Sequence, residues 1–382
     1  MQHWDVIIVG GGMVGLASSY HLAKKGAKTL LLQAGDFGGG TSAANAGRAQ
    51  VSEGYLDPVN IQAVREGVAR MDNLAGELDS DFEWQRSGYL CLIKTQPLWD
   101  EWTRRSQILS HNGIPTEVID VDTLTRLEPF LNTEGLIGAA YTREGLLNPF
   151  KFCWAYRQAA SRQGATLLAH SPVTGLEVQD GRITAVETRT QRYAASVVAV
   201  MCGAWTPQVT RLAGVDVPIR HTHAEAMILE PLPPWLLRNT IGLADFYELI
   251  HGRQQAVAIG LGPHPNGGIL VTEAVAQTDE LHQRNSVWGI TGIARELVKL
   301  YPTLGKARVL RAWGSPTPFT PDGNPLIGWA PGLENLFLAA SFMQTISVVP
   351  VVSEWIADMI LGKALSIDLG LFSPARFVPF RP

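Results

Sequence analysis

A short apolar run followed at once by a glycine-rich turn constrains this chain more than any other feature of its sequence. Residues 6–9 read VIIV, a continuous apolar run that is typical of a parallel strand buried on both faces. Residues 10–15 read GGGMVG, which contains the spacing G-x-G-x-x-G. A helical pattern with an apolar face covers residues 16–25, and a second strand is predicted over residues 28–33. This order of strand, turn, helix and strand predicts a dinucleotide-binding unit at the N-terminus.

Each glycine of the motif has a separate physical role. Gly10 permits the tight turn, Gly12 lets the backbone approach a pyrophosphate, and Gly15 lets the helix pack closely on the strand. The N-terminus of the helix then offers unpaired N–H groups and a partial positive charge to the phosphates. The alternative is a purely structural turn, which the flanking strands and helix disfavour.

The end of the second predicted strand departs from the usual pattern. An acidic residue is expected there to hold the ribose hydroxyls, and the chain has Gln33. Glutamine accepts and donates hydrogen bonds but lacks the charge that favours a bidentate contact. We therefore expect binding that is retained but weaker, and this residue alone does not exclude NADP.

Composition narrows the remaining classes. The 382 residues allow two intertwined domains, and 46% hydrophobic with 17% charged residues is a globular composition. The formal net charge of −4 predicts no general attraction to nucleic acid. Three cysteines (Cys91, Cys153 and Cys202) lack metal-ligand spacing, so we expect no metal site, no disulfide framework and a cytoplasmic location. Residues 346–361 are apolar but interrupted by polar residues, which predicts a core-facing helix and no membrane span.

The loop after the second strand carries the resemblance to a known family. Residues 37–47 read FGGGTSAANAG and have little side-chain bulk, so they can run close to a ligand. This segment resembles the G-x-S-x-x-N-A-G loop of the D-amino-acid oxidase-like flavoenzymes, which include glycine and sarcosine oxidases and the flavin subunits of D-hydroxyproline, opine and other amine dehydrogenases. In that family the loop passes the pyrophosphate and the isoalloxazine ring, so the resemblance implies FAD. Because residues 41–47 contain no histidine or cysteine, we expect no covalent tether there.

Three further stretches match the family in order. Residues 197–206 resemble its apolar strand followed by A-G-A-W, residues 311–328 its W…T-P-D-G-x-P-x-I-G signature, and residues 336–361 its final strand and helix. The resemblance implies a set of cofactor-binding residues: Gly10, Gly12, Met13, Val14, Gly15, Gln33, Ala34, Gly40, Thr41, Ser42, Asn45, Ala46, Gly47, Val173, Cys202, Gly203, Trp205, Phe342, Met343, Gln344, Thr345 and Ile346.

The resemblance also implies an α/β fold, in which a Rossmann-like FAD-binding domain carries an inserted α+β substrate domain built on an antiparallel sheet. Residues 88–93 and 268–272 are compatible with strands of that sheet. The implied boundaries give the FAD-binding domain residues 1–80, 148–215 and 305–382, the last with a C-terminal tail, and the substrate domain residues 81–147 and 216–304.

Two departures from the family concern chemistry. The arginine that usually precedes T-P-D-G and pairs with a substrate carboxylate is replaced by Thr317. The last strand-to-helix turn, usually G-F-S-G-H-G, reads ASFMQTIS over residues 340–347, so both expected glycines are missing. Together with Gln33, these changes describe a flavin site that has drifted from the family pattern.

Three residues are the catalytic candidates that could replace the missing anchor. Arg48 directly follows the flavin loop, and its alternative role is a surface arginine or an FAD phosphate contact. Tyr247 stands where the family often places a substrate-facing tyrosine, and its alternative is an aromatic residue on the sheet surface. Arg253 is the third candidate, with a solvated loop residue as its alternative.

The activity implied by the resemblance is oxidation of the C–N bond of an amino acid or secondary amine, with hydride leaving the α-carbon for flavin N5. The leading hypothesis is the flavin subunit of a hetero-oligomeric dehydrogenase, whose partner subunits carry electrons onward and could attach it peripherally to a membrane. The second hypothesis is a stand-alone oxidase that produces hydrogen peroxide. The third is a degenerate subunit with a structural role, which the changes at Gln33, Thr317 and residues 343–345 favour.

Overall fold

The computed structural model describes residues 2–246, 249, 253–264 and 266–377. Its strands form two large sheets, each packed on its own apolar core. The first sheet is mostly parallel and Rossmann-like, and the second is mostly antiparallel. The predicted α/β fold class is confirmed.

The first sheet contains the N-terminal unit predicted from the sequence. Its strands are β1 (His3–Val9), β2 (Thr29–Leu32), β7 (Thr166–Leu168), β8 (Val173–Gln179), β9 (Arg182–Thr188), β10 (Arg192–Val200), β16 (Leu326–Trp329) and β17 (Leu336–Ala340). The strand order is β16-β17-β10-β1-β2-β7, with β8 and β9 attached to β10. Strand β1 pairs in parallel with β2 and β10, and β10 pairs in parallel with β17, so the carboxyl ends of these strands meet at one edge.

Strand β1 is buried on both faces. Val6 and Ile8 pack into the core that contains the following helix, whereas Ile7 and Val9 pack into the core on the opposite face. This double burial explains why the apolar run of β1 is continuous rather than alternating. Because the glycine turn between β1 and α1 is short, α1 packs directly against the sheet.

The described residues form nine α-helices: α1 (Met13–Lys24), α2 (Thr41–Ala44), α3 (Pro58–Glu77), α4 (Gln96–His111), α5 (Val121–Leu127), α6 (Pro149–Arg162), α7 (Thr206–Thr210), α8 (Val287–Leu300) and α9 (Thr345–Ile360). Helices α1, α3, α6 and α9 share the core of the first sheet. The prediction of a core-facing helix after residue 345 is confirmed, because most of α9 is buried. No helix in the described part of the chain has the length and apolar character needed to cross a membrane.

The second sheet has the order β15-β11-β14-β13-β12-β4-β6-β3, with β5 attached to β6. Its strands are β3 (Arg48–Ala49), β4 (Gln85–Ile93), β5 (Thr116–Asp120), β6 (Gly138–Leu146), β11 (Arg220–Leu229), β12 (Thr240–Leu243), β13 (Gln255–Pro263), β14 (Ile269–Gln277) and β15 (Val309–Phe319). Both predicted strand segments, residues 88–93 and 268–272, lie in this sheet. Helix α8 covers one face, where its residues join a core with Ile259, Val271 and Ala274.

Sheet membership bears on the implied domain boundaries, which stay predictions. Strands β3 and β15 pair within the second sheet, although their residues fall in the ranges 1–80 and 305–382 assigned to the FAD-binding domain. Strand β3 directly follows residues 37–47, which we call the small-residue loop, and β15 directly precedes the T-P-D-G segment at residues 320–323, so both segments adjoin the second sheet. The candidate site is therefore built where the two sheets are connected.

Candidate functional site

The glycine-rich turn joins β1 to α1 at the carboxyl edge of the first sheet. Gly10 has a φ of +113°, and a Cβ built there would collide with the carbonyl oxygen of Met201. A Cβ on Gly15 would collide with the carbonyl oxygen of Gly10. Glycine is therefore required at both positions by the packing of the turn itself.

Gly12 is different, because space is open beside it. It is the N-cap of α1, and apart from its chain neighbours a Cβ there would have one atom of the described residues within 4 Å, Ser42 Oγ at 3.0 Å. No side chain caps α1 at Gly12, and Met13 N donates to Ser42 Oγ over 3.0 Å. The start of α1 thus presents backbone to an open space, as a phosphate site on a helix N-terminus requires.

Gln33 lies directly after β2 and supports the glycine turn. Its Oε1 accepts a hydrogen bond from Gly11 N at 2.8 Å, and its Nε2 donates to the carbonyl oxygen of Asp36 at 3.1 Å. The side chain is half-buried and the next residue, Ala34, is exposed. Gln33 therefore stands at the mouth of the open space, where the ribose contact is predicted.

We predict that Gln33→Glu tightens FAD binding by about 1 kcal/mol, roughly fivefold in Kd. One carboxylate oxygen can keep the bond from Gly11 N while the other accepts from the ribose with charge assistance, which outweighs the lost donor to Asp36. The measurement is a titration of flavin-free protein with FAD. Gln33→Met, which can make neither hydrogen bond, is the control and should weaken binding. Unchanged or weaker affinity of the glutamate variant would show that this position does not face the ribose.

The small-residue loop is fastened to the second sheet through β15. Thr41 Oγ1 donates to the carbonyl oxygen of Pro316 at 2.7 Å, and Trp313 Nε1 donates to the carbonyl oxygen of Ala44 at 3.0 Å. These hydrogen bonds join the small-residue loop, which follows β2 of the first sheet, to β15 of the second sheet. The small-residue loop therefore lies between the glycine turn and the second sheet, which agrees with its resemblance to flavin loops.

The end of the loop turns sharply into β3. Asn45 Oδ1 accepts from Gly47 N at 2.9 Å, and Gly47 has a φ of +74°. A Cβ on Gly47 would collide with the carbonyl oxygen of Leu147. This turn fixes the direction in which the next residue, Arg48, leaves the loop.

The predicted contacts from the middle of the chain lie at the same edge of the first sheet. The thiol of Cys202, just after β10, donates to the carbonyl oxygen of Val9 at 3.1 Å, and burial raises its pKa to about 12. Gly203 follows with a φ of +53°. A Cβ on Gly40 would lie 3.2 Å from the ring of Trp205. Cys202 is therefore an apolar filler beside the turn, and Trp205 closes against the small-residue loop.

The turn between β17 and α9 keeps a glycine-like backbone without glycine. Ser341 has a φ of +64°, is 2% exposed, and its Oγ has no hydrogen-bond partner among the described residues. Gln344 Nε2 donates to the carbonyl oxygen of Gln50 at 3.2 Å, and Thr345 Oγ1 donates to that of Phe342 at 2.9 Å. No side chain caps α9. The replacement residues therefore hold the turn by side-chain bonds, Gln344 to the segment that follows the small-residue loop and Thr345 within the turn itself.

The geometry fits a dinucleotide. Open space at Gly12, two helix starts without a side-chain cap and the buried, unpartnered Ser341 hydroxyl all leave polar groups that a ligand would satisfy. The roles of the other predicted contacts stay predictions, and the structure gives their positions: Val14 lies in the first turn of α1, Ala46 in the small-residue loop, Val173 at the start of β8, Met343 exposed before α9, and Ile346 buried in α9.

Arg48 lies inside the protein rather than on its surface. Its side chain is 12% exposed, its Nε donates to Glu144 Oε2 at 2.6 Å, and its Nη1 lies 2.8 Å from Glu53 Oε2. The guanidinium carbon stacks 3.4 Å from the ring centroid of Tyr89, whose hydroxyl donates to Glu53. Nη2 is buried without a hydrogen-bond partner among the described residues. Two carboxylates therefore compensate the charge of Arg48, while its Nη2 is left without a partner among the described residues.

Burial and ion pairing shift the pKa values of Arg48 and Glu144. Burial alone would lower the pKa of Arg48, but the carboxylates of Glu144 and Glu53 outweigh it and hold the pKa well above its ordinary value. Burial raises the pKa of Glu144, and Arg48 opposes that shift. Any change of protonation in this cluster therefore falls on a carboxylate, not on the arginine.

The other two catalytic candidates are placed differently. Tyr247 lies outside the described residues. Arg253 is exposed just before β13, and Thr317 is exposed on β15, where it pairs with Thr222. Of the two candidates that the structure describes, Arg48 directly follows the small-residue loop.

Sequence reasoning missed the carboxylates around Arg48. Glu144 lies in β6, opposite Ser87 of β4, and Glu53 lies in an irregular segment before α3. Neither stands in a motif: Glu144 lies 96 positions from Arg48 and is brought to it through the second sheet, and Glu53 lies in a segment without a regular pattern. Among the described residues, no group of histidine, cysteine and acidic side chains could hold a metal ion.

Comparisons with known proteins agree with this geometry. Residues 5–359 match the family model described as DAO, FAD dependent oxidoreductase. Sarcosine oxidase subunit beta of Rhizobium meliloti (strain 1021) is 26% identical over 350 residues, which cover 89% of this chain and 80% of that protein. Glycine oxidase of Geobacillus kaustophilus (strain HTA426) is 25% identical over 387 residues, which cover 99% of this chain and 98% of that protein. Among solved structures, L-proline dehydrogenase from P. horikoshii has the same fold, with a TM-score of 0.88 at 22% identity over 98% of both chains.

Proposed function

The chain belongs to the FAD dependent oxidoreductase family, and on that premise we propose that it oxidises the carbon–nitrogen bond of an amino acid or secondary amine. The observation that carries the proposal is the buried cluster of Arg48, Glu53, Tyr89 and Glu144, which we call the Arg48 group. It begins at the end of the small-residue loop and lies on the second sheet. FAD, when bound, accepts the hydride that leaves the carbon next to the substrate nitrogen. The residues of the chain then have to bind the substrate, orient it and exclude water.

The proposed substrate contacts are Arg48, Tyr247 and Arg253. Arg48 supports this role best, because its Nη2 has no partner among the described residues and its position is fixed by Glu53 and Glu144. An arginine held by two carboxylates is pre-organised, so little side-chain entropy is lost when it binds a ligand. A substrate carboxylate would contact this free nitrogen in place of the missing arginine at Thr317.

The finer proposal is that the chain is the flavin subunit of a hetero-oligomeric dehydrogenase. It is supported by the relative named sarcosine oxidase subunit beta and by two exposed aromatic side chains on α6, Phe150 and Trp154, which are 53% and 51% exposed. A stand-alone oxidase is the second candidate, because the chain covers 98% of the glycine oxidase relative.

The experiment is a spectrum of the purified chain before and after anaerobic addition of glycine, sarcosine, prolines and opines. Loss of the oxidised flavin absorbance with any of them supports amine oxidation. Reoxidation by air with formation of hydrogen peroxide would identify an oxidase, and slow reoxidation that an artificial acceptor accelerates would identify a dehydrogenase. A flavin that no amine reduces would contradict the proposal and favour the degenerate subunit.

A further inference from the structure

Glu273 occupies an irregular position at the centre of the second sheet. The pairing between β14 and β11 passes from Ala274 opposite Glu225 to Thr272 opposite Ala226, so Glu273 is left without a partner on that side. The pairing between β14 and β13 also shifts across the same residue. Such bulges re-aim a side chain and are common next to active sites.

The bulge turns Glu273 away from α8. Val271 and Ala274 both pack into the core on the α8 face, so Thr272 and Glu273 between them are directed to the other face. We call that other face the inner face; from it Trp313 bonds to the small-residue loop and Tyr89 bonds to Glu53. Glu53 is the charged neighbour that acts on Glu273. Glu273 therefore lies on the inner face, which also faces the small-residue loop and the Arg48 group.

The carboxylate of Glu273 lacks compensation. No hydrogen bond or ion pair from the described residues reaches it, and its side chain is half-buried. Strand β13 contributes no titratable side chain over residues 255–263. On β11, Glu225 is directed to the α8 face, where it accepts from Ser286 N and Oγ at 2.9 and 2.6 Å.

The charge around Glu273 favours a cation. Among the described residues, the charged group that acts on Glu273 is another carboxylate, Glu53, and the guanidinium that Glu53 contacts, that of Arg48, is already shared with Glu144. Partial burial of Glu273 without a partner raises the cost of its charge, and a ligand that brings a positive charge reduces that cost. An ammonium group is the cation that an amine substrate brings.

We propose that Glu273 is the residue that binds the substrate's ammonium group and accepts its proton, so that the site selects cationic amines. This inference rests on the proposed function. In the step, an N–H bond of the ammonium breaks and an O–H bond forms on the Glu273 carboxylate, while the electron pair of the broken bond stays on nitrogen. The neutral amine that results has the electron pair that oxidation of the adjacent C–H bond requires.

The titration of Glu273 suits this role. Burial, with a smaller contribution from Glu53, raises the pKa of Glu273 to about 7. The carboxylate is therefore protonated below pH 7 and ionised above it, and a base of this strength works best near neutral pH. Because only the ionised form attracts a cation, binding of an ammonium should tighten as the pH rises through 7.

The test uses the FAD-loaded protein and a ligand that it cannot oxidise. Tert-butylamine is a cation at these pH values and has no hydrogen on the carbon next to nitrogen, and tert-butanol is its neutral counterpart. Binding is measured by calorimetry from pH 6 to pH 8 for wild type, Glu273→Gln, Glu273→Asp and the control Glu117→Gln, an exposed carboxylate on β5. We expect the wild-type affinity for the cation to rise about tenfold over this range and to be about tenfold weaker and independent of pH in Glu273→Gln. Glu273→Asp should keep the pH dependence, and tert-butanol should show none.

Two outcomes separate the inference from the proposed function. Cation binding in Glu273→Gln that is as tight and as pH-dependent as in wild type would overturn the inference, even if amines are oxidised. Glu273-dependent cation binding in a protein that oxidises no amine would support the inference and contradict the proposed function. With a true substrate, the low-pH limb of kcat/KM near pH 7 should disappear in Glu273→Gln and remain in Glu117→Gln.

Discussion

Gly12→Val is expected to abolish FAD binding, with a loss of at least about 100-fold in affinity, or roughly 3 kcal/mol. The physical reason is the space that this glycine leaves open. A Cβ at Gly12 would already lie 3.0 Å from Ser42 Oγ, and the two methyl groups of valine would fill the approach to the start of α1. The measurement is flavin absorbance that stays with the protein through gel filtration.

The same substitution elsewhere provides the control. A Cβ on Gly76, in α3, meets nothing within 4 Å, so Gly76→Val should cost only helix propensity and keep its flavin. Circular dichroism of both variants checks that they fold. Full flavin absorbance in a folded Gly12→Val protein would mean that this turn does not hold the pyrophosphate.

The parts of the site that could be predicted from the sequence are local. Strand β1, the glycine turn, α1 and β2 follow each other within 32 residues. The strands and the helix are specified by the periods of their apolar residues, and the turn is specified by glycines that no other residue can replace. The small-residue loop is equally local, because its small side chains and the turn at Gly47 are written in consecutive residues. Patterns of this kind depend on residues that are close together in the chain, so they can be recognised without knowledge of the tertiary structure.

The substrate side could not be predicted in the same way. Arg48 was identified from its place after the loop, but its partners come from β6 and from an irregular segment, and only the folded second sheet brings them together. Glu273 is re-aimed by a bulge, which shifts the two-residue period of β14 and hides its orientation from a sequence pattern. Long-range pairing and strand irregularity are set by tertiary packing rather than by local propensity.

Arg48→Ala is expected to lower both stability and activity. Removing the guanidinium leaves Glu144 and Glu53 buried without their counter-ion, which should cost about 3–5 kcal/mol of unfolding free energy. Burial already raises the pKa of Glu144, and loss of Arg48 raises it further, so the destabilisation should be full above that raised pKa, decrease as the pH falls through it, and vanish below the ordinary pKa of a glutamate. Urea unfolding at several pH values measures this effect.

The activity of Arg48 variants has to be separated from their stability. If the unpartnered Nη2 of Arg48 binds a substrate carboxylate, Arg48→Ala should lose about 2–5 kcal/mol of transition-state binding, which lowers kcat/KM. The measurement is steady-state kinetics with an artificial electron acceptor, made alongside Arg253→Ala and Tyr247→Phe.

The double variant Arg48→Met with Glu144→Gln decides between the two roles. It removes the arginine together with the carboxylate that its Nε contacts, so much of the lost stability should return. A kcat/KM that stays low in this stabilised protein supports the anchor, because the substrate contact is still missing. A kcat/KM that recovers together with stability would show that Arg48 only holds the inner face in place, and the substrate carboxylate would then have to be bound by another residue.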